Sequence, residues 1–398
     1  MRVDATGTGN VARVIIVRPV TEAEHLAFLR GRSSASFLQT PAWGRVKAEW
    51  RRQSVGFFDG PPDDQRLAGV ALVLYRHLPR TKRCLAYLPE GPVLDWDVAD
   101  LAPWLDALAT HAKSEGAFAV RIGPPVVTAR WSAAQLKEGI ADAGVRRLTD
   151  LAPAERDVTG AAVVSQLREL GWREQGADGG FAAGQPRYNF HLPLVDDDGK
   201  PLTEEQVLAG MNQQWRRNIK KAAKSGVVVS TSSTSDAGDA TGDLEAFHEL
   251  YVLTAQRDGF TPRGLAYFKT MLDALGSEDP GRIRLWLAHH EGDLVAATIA
   301  VRVGTHAWYS YGASSTEKRD VRGSNAIQWA MIQDALAAGA EVYDLRGITD
   351  TLDADDPHVG LLQFKVGTGG QAVAYAGEWD LPLNRPLYKA FMLYMERR

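Results

Sequence analysis

Lys365, in the segment GLLQFKVGTGG (residues 360–370), is the residue whose type and position most directly suggest chemistry. It follows Phe364 at the end of a short apolar run and precedes a glycine-rich turn. A lysine at the end of a strand can bury its stem and keep its charge in water. Held by packed neighbours, the same ammonium can instead face a developing oxyanion or a phosphate. Composition alone favours the first interpretation.

A second group of cations lies in the segment 212–226, which contains WRRNIKKAAK and no acidic residue. Trp215, Ile219 and Ala222 recur at helical spacing and predict one face of an amphipathic helix. The opposite face carries five cations: Arg216, Arg217, Lys220, Lys221 and Lys224. Such a face is commonly no more than a solvated surface. Because the segment has no acidic residue to balance these cations, contact with RNA or phosphate is as good an interpretation as a solvated surface.

The composition sets outer limits on the class of protein. With 398 residues, of which 45% are hydrophobic and 24% charged, the chain is long enough for two globular domains. The formal net charge of −4 excludes a protein that coats nucleic acid by bulk charge. Any contact with RNA must therefore come from a local basic patch.

Targeting and metal signals are weak in this sequence. No apolar run approaches the roughly 18 residues of a membrane span, and MRVDATGTGN lacks the apolar core of a signal peptide, so we expect a cytoplasmic protein. The single cysteine, Cys84, lies in a predicted strand and is expected to be a small buried side chain. The nine histidines show no ligand spacing, so no metal site is predicted.

The periodicity of apolar residues predicts an α/β (α+β) fold. Segments such as VARVIIVRPV, RLAGVALVLYRHL and LVAATIAVRVG read as strands, and ADLAPWLDALATHAKSEGA reads as a helix. Both halves of the chain alternate strands with helices. No run of heptads is long enough for a coiled-coil arm.

Several longer motifs occur in a fixed order along the chain. They are SFLQTPAWGRVKAEW (36–50), YLPEGPVLD (87–95), RRNIKKAAKSGV (216–227), RDGFTPRGLAYF (257–268), AWYSYGASS (307–315), YDLRGI (343–348) and GEWDLPLNRPLY (377–388). In type and order they resemble the Fem family (FemABX), the aminoacyl-tRNA-dependent transferases that build peptidoglycan interpeptide bridges. The combination is more specific than any one motif.

The resemblance implies two domains of acetyltransferase-like (GNAT-like) fold with the substrate cleft between them. Residues 1–185 with the returning segment 377–398 would form the first domain, and residues 186–376 the second. The junction 126–185 looks longer than in smaller members of the family, and its role is left open.

The GNAT likeness raises the alternative of an acetyl-CoA-dependent acyltransferase. Such enzymes hold a pyrophosphate on a Q/R-x-x-G-x-G/A loop at the start of a helix. In KRDVRGSNAIQWAM, aligning Gly323 with the first glycine puts Asp320 at the Gln/Arg position and Asn325 at the second small residue. An aspartate there would repel a pyrophosphate, which disfavours acetyl-CoA.

The resemblance also implies the substrate contacts. Lys47 in WGRVK and Arg263 in GFTPR match residues that hold the diphosphate of the muropeptide substrate, one from each domain. The family lines its substrate channel with tyrosines that match Tyr267, Tyr309 and Tyr311. Because Tyr309 and Tyr311 alternate on a predicted strand, we expect them to share a face.

The implied reaction is attack of a stem-peptide amine on the ester of an aminoacyl-tRNA. Lys365 would stabilise the oxyanion or the departing ribose oxygen, and Phe364 would shape the donor pocket. Some family members carry an aspartate, proposed as a base, where this chain has Gly123 after Arg121 and Ile122. Neither Glu90 nor Asp95 can be assigned to that role from sequence, so a mechanism without a protein base is predicted.

The predicted function is transfer of glycine or alanine from aminoacyl-tRNA to lipid II or UDP-MurNAc-pentapeptide. Aminoacyl-tRNA is the co-substrate, no other cofactor is predicted, and a lipid-linked acceptor would bring the protein to the inner face of the membrane. Two alternatives remain: a peptide natural product or a protein N-terminus as acceptor, or a non-catalytic module that binds muropeptide or tRNA.

Overall fold

The computed structural model describes residues 14–61, 63–176, 184–232, 240–356 and 358–396. The strands are β1 (Ile15–Pro19), β2 (Arg51–Asp59), β3 (Arg66–His77), β4 (Cys84–Leu88), β5 (Ala117–Ile122), β6 (Val127–Ser132), β7 (Glu155–Arg156), β8 (Arg173–Glu174), β9 (Tyr188–Pro193), β10 (Val228–Ser232), β11 (Ile283–His290), β12 (Asp293–Val303), β13 (His306–Ser314), β14 (Val342–Ile348), β15 (Gln371–Tyr375) and β16 (Trp379–Pro382). The helices are α1 (Glu22–Arg30), α2 (Pro41–Val46), α3 (Ala102–Ser114), α4 (Ala133–Ala141), α5 (Val158–Glu169), α6 (Glu204–Gly210), α7 (Gln213–Lys224), α8 (Ala240–Asp258), α9 (Leu265–Glu278), α10 (Gly323–Ala337), α11 (Val359–Val366) and α12 (Arg385–Glu396).

The first sheet has the order β1-β2-β3-β4-β5-β16-β8. Its parallel pair, β4 and β5, is joined through α3, which buries Trp104, Leu105 and Leu108 against the sheet. The three residues recur at helical spacing, so one face of α3 is apolar. Cys84 is fully buried in β4, as its apolar surroundings predict.

The second sheet has the order β10-β11-β12-β13-β14-β9-β15-β6-β7. Its parallel pair, β13 and β14, is joined through α10, which packs on β11 and β12. The two mixed sheets with connecting helices confirm the predicted α/β fold class. Within the described residues the longest helix, α8, has 19 residues, and none is both long and apolar enough to span a bilayer.

The segment 126–185 connects the two sheets. Its strands β6 and β7 pair within the second sheet, because Ala129 and Trp131 on alternate positions of β6 bury one face against that core. Its helix α5 and strand β8 pack on the first sheet. Sheet membership therefore departs from the predicted boundary at residue 185, whereas the returning strand β16 lies in the first sheet.

Aromatic packing holds the two halves together near α2. Phe37 lies edge-on to Trp43 and to Trp308 of β13, each at 5.3 Å between ring centroids. Helix α2 begins at Pro41 behind the side-chain cap of Thr40, and Lys47 is its C-terminal cap. The packing of α2 beside α9 brings this lysine, from the first half of the chain, next to the second half.

Candidate active site

A cavity of about 300 Å³, termed here the cleft, lies between the two halves of the molecule. Its wall from the first half includes Lys47, Trp50 and Tyr87. The second half contributes Arg263, Tyr267, Ser310, Tyr311 and Arg346. The cleft therefore contains four of the predicted site residues together with side chains that sequence reasoning did not assign.

Lys47 and Arg263 both lie against the ring of Tyr267. The Lys47 Nζ and the Arg263 Cζ are each 5.3 Å from the centroid of that ring, and the Tyr267 hydroxyl is 3.1 Å from the Tyr311 hydroxyl. Burial, followed by repulsion from Arg263, lowers the pKa of Lys47. Two cations in this proximity can bind a dianion, which would relieve their repulsion.

Tyr309 and Tyr311 do not share a face, and that expectation was wrong. Strand β13 contains a β-bulge: Tyr311 pairs with Ile299 and Tyr309 with the next residue, Ala300, which leaves Ser310 as the extra residue. Tyr311 packs with Tyr267 and lines the cleft, whereas Tyr309 packs against the other core of the second sheet. Burial raises the pKa of Tyr309 to about 12.

Lys365 lies in helix α11, with 3% of the residue exposed. Its Nζ donates hydrogen bonds to the carbonyl of Gly347 at 2.7 Å and to that of Arg346 at 3.3 Å. Burial lowers the pKa of Lys365 to about 7, although Asp344 opposes the shift. The ammonium is not snorkelling from a strand end: it lies beneath β14, behind a residue that lines the cleft.

Arg346 is a site residue that sequence reasoning missed. Its guanidinium lines the cleft and donates to Glu90 Oε1 at 3.0 Å and to Gln185 Oε1 at 3.3 Å. Its φ of +62° is unusual for a residue with a side chain, and the register of β14 against β9 shifts between Asp344 and Gly347. In the sequence, the motif YDLRG marks Arg346 only as an arginine before a glycine, which does not indicate a role in the cleft.

A buried polar group supports the turn at Arg346. Asp344 Oδ1 accepts the Arg346 amide at 2.6 Å, and Oδ2 lies 3.4 Å from His191 Nε2 and 3.3 Å from His306 Nε2. Burial opposes ionisation of Asp344, but His191 and His306 outweigh it and hold its pKa well below its ordinary range. These side-chain types can bind transition metals, and because they come from three strands their spacing in sequence could not reveal the group.

A second cavity of about 320 Å³ lies at the N-terminus of α10 and is termed the α10 cavity. Arg319, Arg322 and Phe364 line it, and Arg322 caps α10 with a φ of +65°. Asn325 is 5% exposed, and neither its Nδ2 nor the Nε of Arg322 has a hydrogen-bond partner within the described part of the chain. A helix N-terminus with arginines and free donors favours an anion.

Phe364 and the basic helix α7 border this second cavity. The Phe364 ring lies 4.8 Å from that of Trp215 in α7, whose Nε1 donates to the Phe364 carbonyl at 2.8 Å. Asn218, on the same helix, also lines the cavity. Asp320 Oδ2 lies 3.8 Å from Lys221 Nζ, which offsets part of the repulsion predicted for this aspartate.

Four of the five α7 cations extend into solvent, and one does not. Arg216 donates from Nη1 to the carbonyls of Ala209 at 3.1 Å and Met211 at 2.5 Å, so it caps the end of α6. The remaining exposed cations are Arg217, Lys220, Lys221 and Lys224. The positive surface of α7 therefore continues to the α10 cavity, whereas Arg216 stabilises the end of α6.

Two mixed sheets with connecting helices and a cationic cleft between them define a protein of the predicted α/β class. The FemAB family profile matches residues 20–289 and 286–395, and the chain belongs to this family. It is 26% identical to the lipid II:glycine glycyltransferase of Staphylococcus aureus (strain MRSA252), over 93% of each chain. The strain USA300 protein of the same name is equally similar.

Solved structures agree with this assignment. The crystal structure of FemX superposes with a TM-score of 0.75 at 23% identity, covering 94% of this chain and 99% of FemX. The structure of L-PGS from Bacillus licheniformis superposes with a TM-score of 0.51 at 9% identity, covering 95% and 97%. At these identities the likeness shows the fold, so roles for individual residues must come from the site itself.

Proposed function

We propose that the protein is an aminoacyltransferase that moves glycine or alanine from aminoacyl-tRNA to the stem-peptide amine of a peptidoglycan precursor. The observation that carries this proposal is the position of Lys365. It contacts the backbone of Arg346, which lines the cleft, and follows Phe364, which lines the α10 cavity. Lys365 is thus bonded to a residue of the cleft and adjacent in sequence to a residue of the α10 cavity, so it could act where an acceptor and a donor meet. The relatives named as lipid II:glycine glycyltransferases support the same reaction class.

The acceptor would bind in the cleft. A precursor such as lipid II or UDP-MurNAc-pentapeptide carries a diphosphate, and Lys47 and Arg263 provide one cation from each half of the molecule beside one aromatic ring. Charge-assisted hydrogen bonds to both phosphates would neutralise and orient the ligand. With a lipid-linked acceptor, the protein would work at the inner face of the membrane without spanning it.

The donor would approach from the α10 cavity. Its arginines and the N-terminus of α10 suit a phosphate near the acylated end of a tRNA, and the exposed cations of α7 suit its backbone. The aminoacyl ester would then extend along Phe364 toward Lys365. The Asn325 amide, which has no hydrogen-bond partner among the described residues, offers a donor in the same cavity.

Lys365 would stabilise the tetrahedral oxyanion or the departing ribose oxygen. An ammonium has three N–H groups, and the carbonyls of Arg346 and Gly347 engage two of them. The bonds fix the remaining N–H in direction before the reaction begins, which is the condition for electrostatic preorganisation. Because the ester is already activated, positioning and charge stabilisation can supply most of the rate enhancement.

The test is transfer by the purified protein. A mixture of charged tRNAs is supplied with lipid II, UDP-MurNAc-pentapeptide or unrelated peptides, and products are identified by mass spectrometry. We expect a precursor extended by glycine or alanine, and loss of this product when the tRNA is deacylated or treated with ribonuclease. Transfer only to unrelated peptides would show that the acceptor is not a peptidoglycan precursor. Binding of precursor without transfer from any charged tRNA would contradict the enzymatic function.

A further inference from the structure

We propose that Glu378 and Tyr87 together accept a proton from the ammonium of the acceptor, so that the protein does contain a base for the reaction. The inference rests on the proposed function and deepens it. It concerns a carboxylate that the segment GEWDLP carries at its start and that sequence analysis did not assign.

The two side chains form a short hydrogen bond at the wall of the cleft. The Tyr87 hydroxyl donates to Glu378 Oε1 at 2.5 Å, and Tyr87 lines the cleft. Glu378 is 8% exposed, so the carboxylate lies behind the phenol rather than in the open cavity. The phenolic proton is committed to Glu378, and Gln185 Nε2 donates a long hydrogen bond to the Tyr87 oxygen at 3.5 Å. An incoming N–H group can replace that weak contact on the oxygen lone pairs.

Glu378 fills the space beside Gly123, the position at which sequence analysis found no carboxylate. A Cβ built on Gly123 would lie 3.6 Å from Glu378 Cγ, and one built on Gly184 would lie 2.1 Å from Glu378 Oε2. The glycine at position 184 therefore leaves room for the carboxylate, whereas the distance at Gly123 is an ordinary van der Waals contact. A carboxylate from the segment before β16 thus reaches the end of β5, where β5 and Gly123 contribute no carboxylate of their own.

The surroundings of Glu378 let it take up a proton more readily than an ordinary glutamate. Burial raises its pKa above the ordinary range of a glutamate, whereas the hydrogen bond from Tyr87, the charge of Arg121 and a backbone bond at Gln185 pull it back, and Asp380 raises it slightly. Arg121 bonds Asp380 through two nitrogens at 2.7 and 2.8 Å. Its charge is therefore largely compensated by Asp380, so Glu378 is not locked as a salt-bridged carboxylate.

A second tyrosine–carboxylate pair in the first sheet provides the contrast. The Tyr388 hydroxyl donates to Asp380 Oδ2 at 2.9 Å, and both side chains are buried. Tyr388 packs in a small core with Phe118 and Phe391, away from the cleft wall formed by Tyr87. The two pairs share their chemistry, and only the Tyr87 pair has access to a substrate.

The proposed step balances as follows. The acceptor ammonium gives one proton to the Tyr87 oxygen while the phenolic proton passes to Glu378, which becomes a neutral carboxylic acid. The free amine attacks the ester carbonyl, the new C–N bond forms and the bond to the ribose oxygen breaks. The second amine proton leaves with that ribose oxygen, and Glu378 later returns its proton to solvent.

The test compares kcat/KM against pH for the wild type, Glu378→Gln, Tyr87→Phe and the double variant. We expect each single variant to lose roughly a hundredfold relative to the wild type at neutral pH, in the range of general base catalysis, and to approach the wild-type value at high pH where the amine deprotonates unaided. The double variant should lose no more than either single variant, because both act on one proton path. Tyr388→Phe is the matched control and should keep the wild-type profile.

Wild-type transfer and the variant profiles separate the two proposals. Absence of wild-type transfer contradicts the proposed function, whereas a wild-type profile in folded Glu378→Gln or Tyr87→Phe overturns only the base. An independent measurement follows the Glu378 carboxyl resonance by NMR, assigned by its loss in Glu378→Gln. A midpoint above that of an ordinary glutamate supports the inference, and an ordinary midpoint overturns it whatever the activity.

Discussion

The cleft and the α10 cavity are similar in volume and both are cationic, but they are built differently. In the cleft, Lys47 and Arg263 come from distant parts of the chain and meet over one ring, which requires the two halves to be packed together. In the α10 cavity, Arg319 and Arg322 come from one short segment before a helix. The cleft can therefore select a ligand by the distance between its anionic groups, whereas the α10 cavity can bind a phosphate of almost any ligand. Specificity for the acceptor should lie in the cleft and general affinity for the donor in the α10 cavity.

The largest effect should come from Lys365, the proposed oxyanion donor. Lys365→Ala should lower turnover by about two to three orders of magnitude, as loss of one oxyanion donor does. Binding of the precursor, measured by calorimetry, should hardly change because Lys47 and Arg263, termed here the clamp, are intact. Lys365→Met, which keeps the aliphatic part of the side chain packed, should lose turnover to the same extent. Lys113→Ala, at an exposed position of α3, is the control. Normal turnover in a folded Lys365→Met protein would remove this residue from the mechanism.

The clamp is the next largest contribution. Lys47→Met and Arg263→Ala should each weaken precursor binding by about tenfold to a hundredfold, since a charged hydrogen bond contributes roughly 1.5–3 kcal/mol. A muropeptide without its diphosphate should bind both variants and the wild type equally. The comparison variant is Arg66→Ala, an exposed arginine of β3. Equal losses for ligands with and without the diphosphate would contradict the clamp.

A pH dependence should follow from the burial of Lys365. Its pKa, lowered to about 7, means that the ammonium is charged below neutral pH and loses its proton above it. Turnover that needs the cation should decline by about tenfold for each pH unit above 7, once the donor and acceptor are saturating. The Lys365→Arg variant stays charged and should lack this decline. An alkaline decline that persists unchanged in an active Lys365→Arg protein would assign it to another group.

Salt should distinguish the donor surface from the cleft. Removing Lys220 and Lys224 together should raise the KM for aminoacyl-tRNA a few-fold and flatten its dependence on salt by about 1.5 units of the log–log slope. The KM for the precursor should not change. Lys82→Ala with Lys113→Ala removes two exposed lysines of the first half and serves as the control. A flattened slope in that control would indicate a bulk charge effect.

The smallest effect separates two tyrosines of one strand. Tyr311→Phe breaks the hydroxyl contact with Tyr267 on the cleft wall and should weaken precursor binding by roughly fivefold, the cost of one hydrogen bond. Tyr309→Phe should leave binding unchanged because this ring faces the other core. Equal losses in both variants would argue that the bulge does not separate their functions.

Resemblance in sequence predicted much of the cleft. The motifs WGRVK and GFTPR identified Lys47 and Arg263, and the structure brings both to Tyr267 with Tyr311 beside them. Periodicity failed for Tyr309, because one inserted residue in β13 reverses the alternation of faces and no local pattern marks it. It also could not show that Arg216 caps α6 instead of meeting a ligand.

By itself, the sequence determined the alternation of strands and helices, the α/β fold class and the basic face of α7, since these depend on residue type at fixed local spacing. Only the tertiary structure decided which charges meet. Arg346 and Asp344 share β14, but their partners Glu90, His191 and His306 come from other parts of the chain. Glu378 reaches Tyr87 from the segment before β16, where Gly184 leaves room for its carboxylate. Contacts of this kind depend on how distant segments pair and pack in three dimensions, which the order of residues within any one segment does not determine.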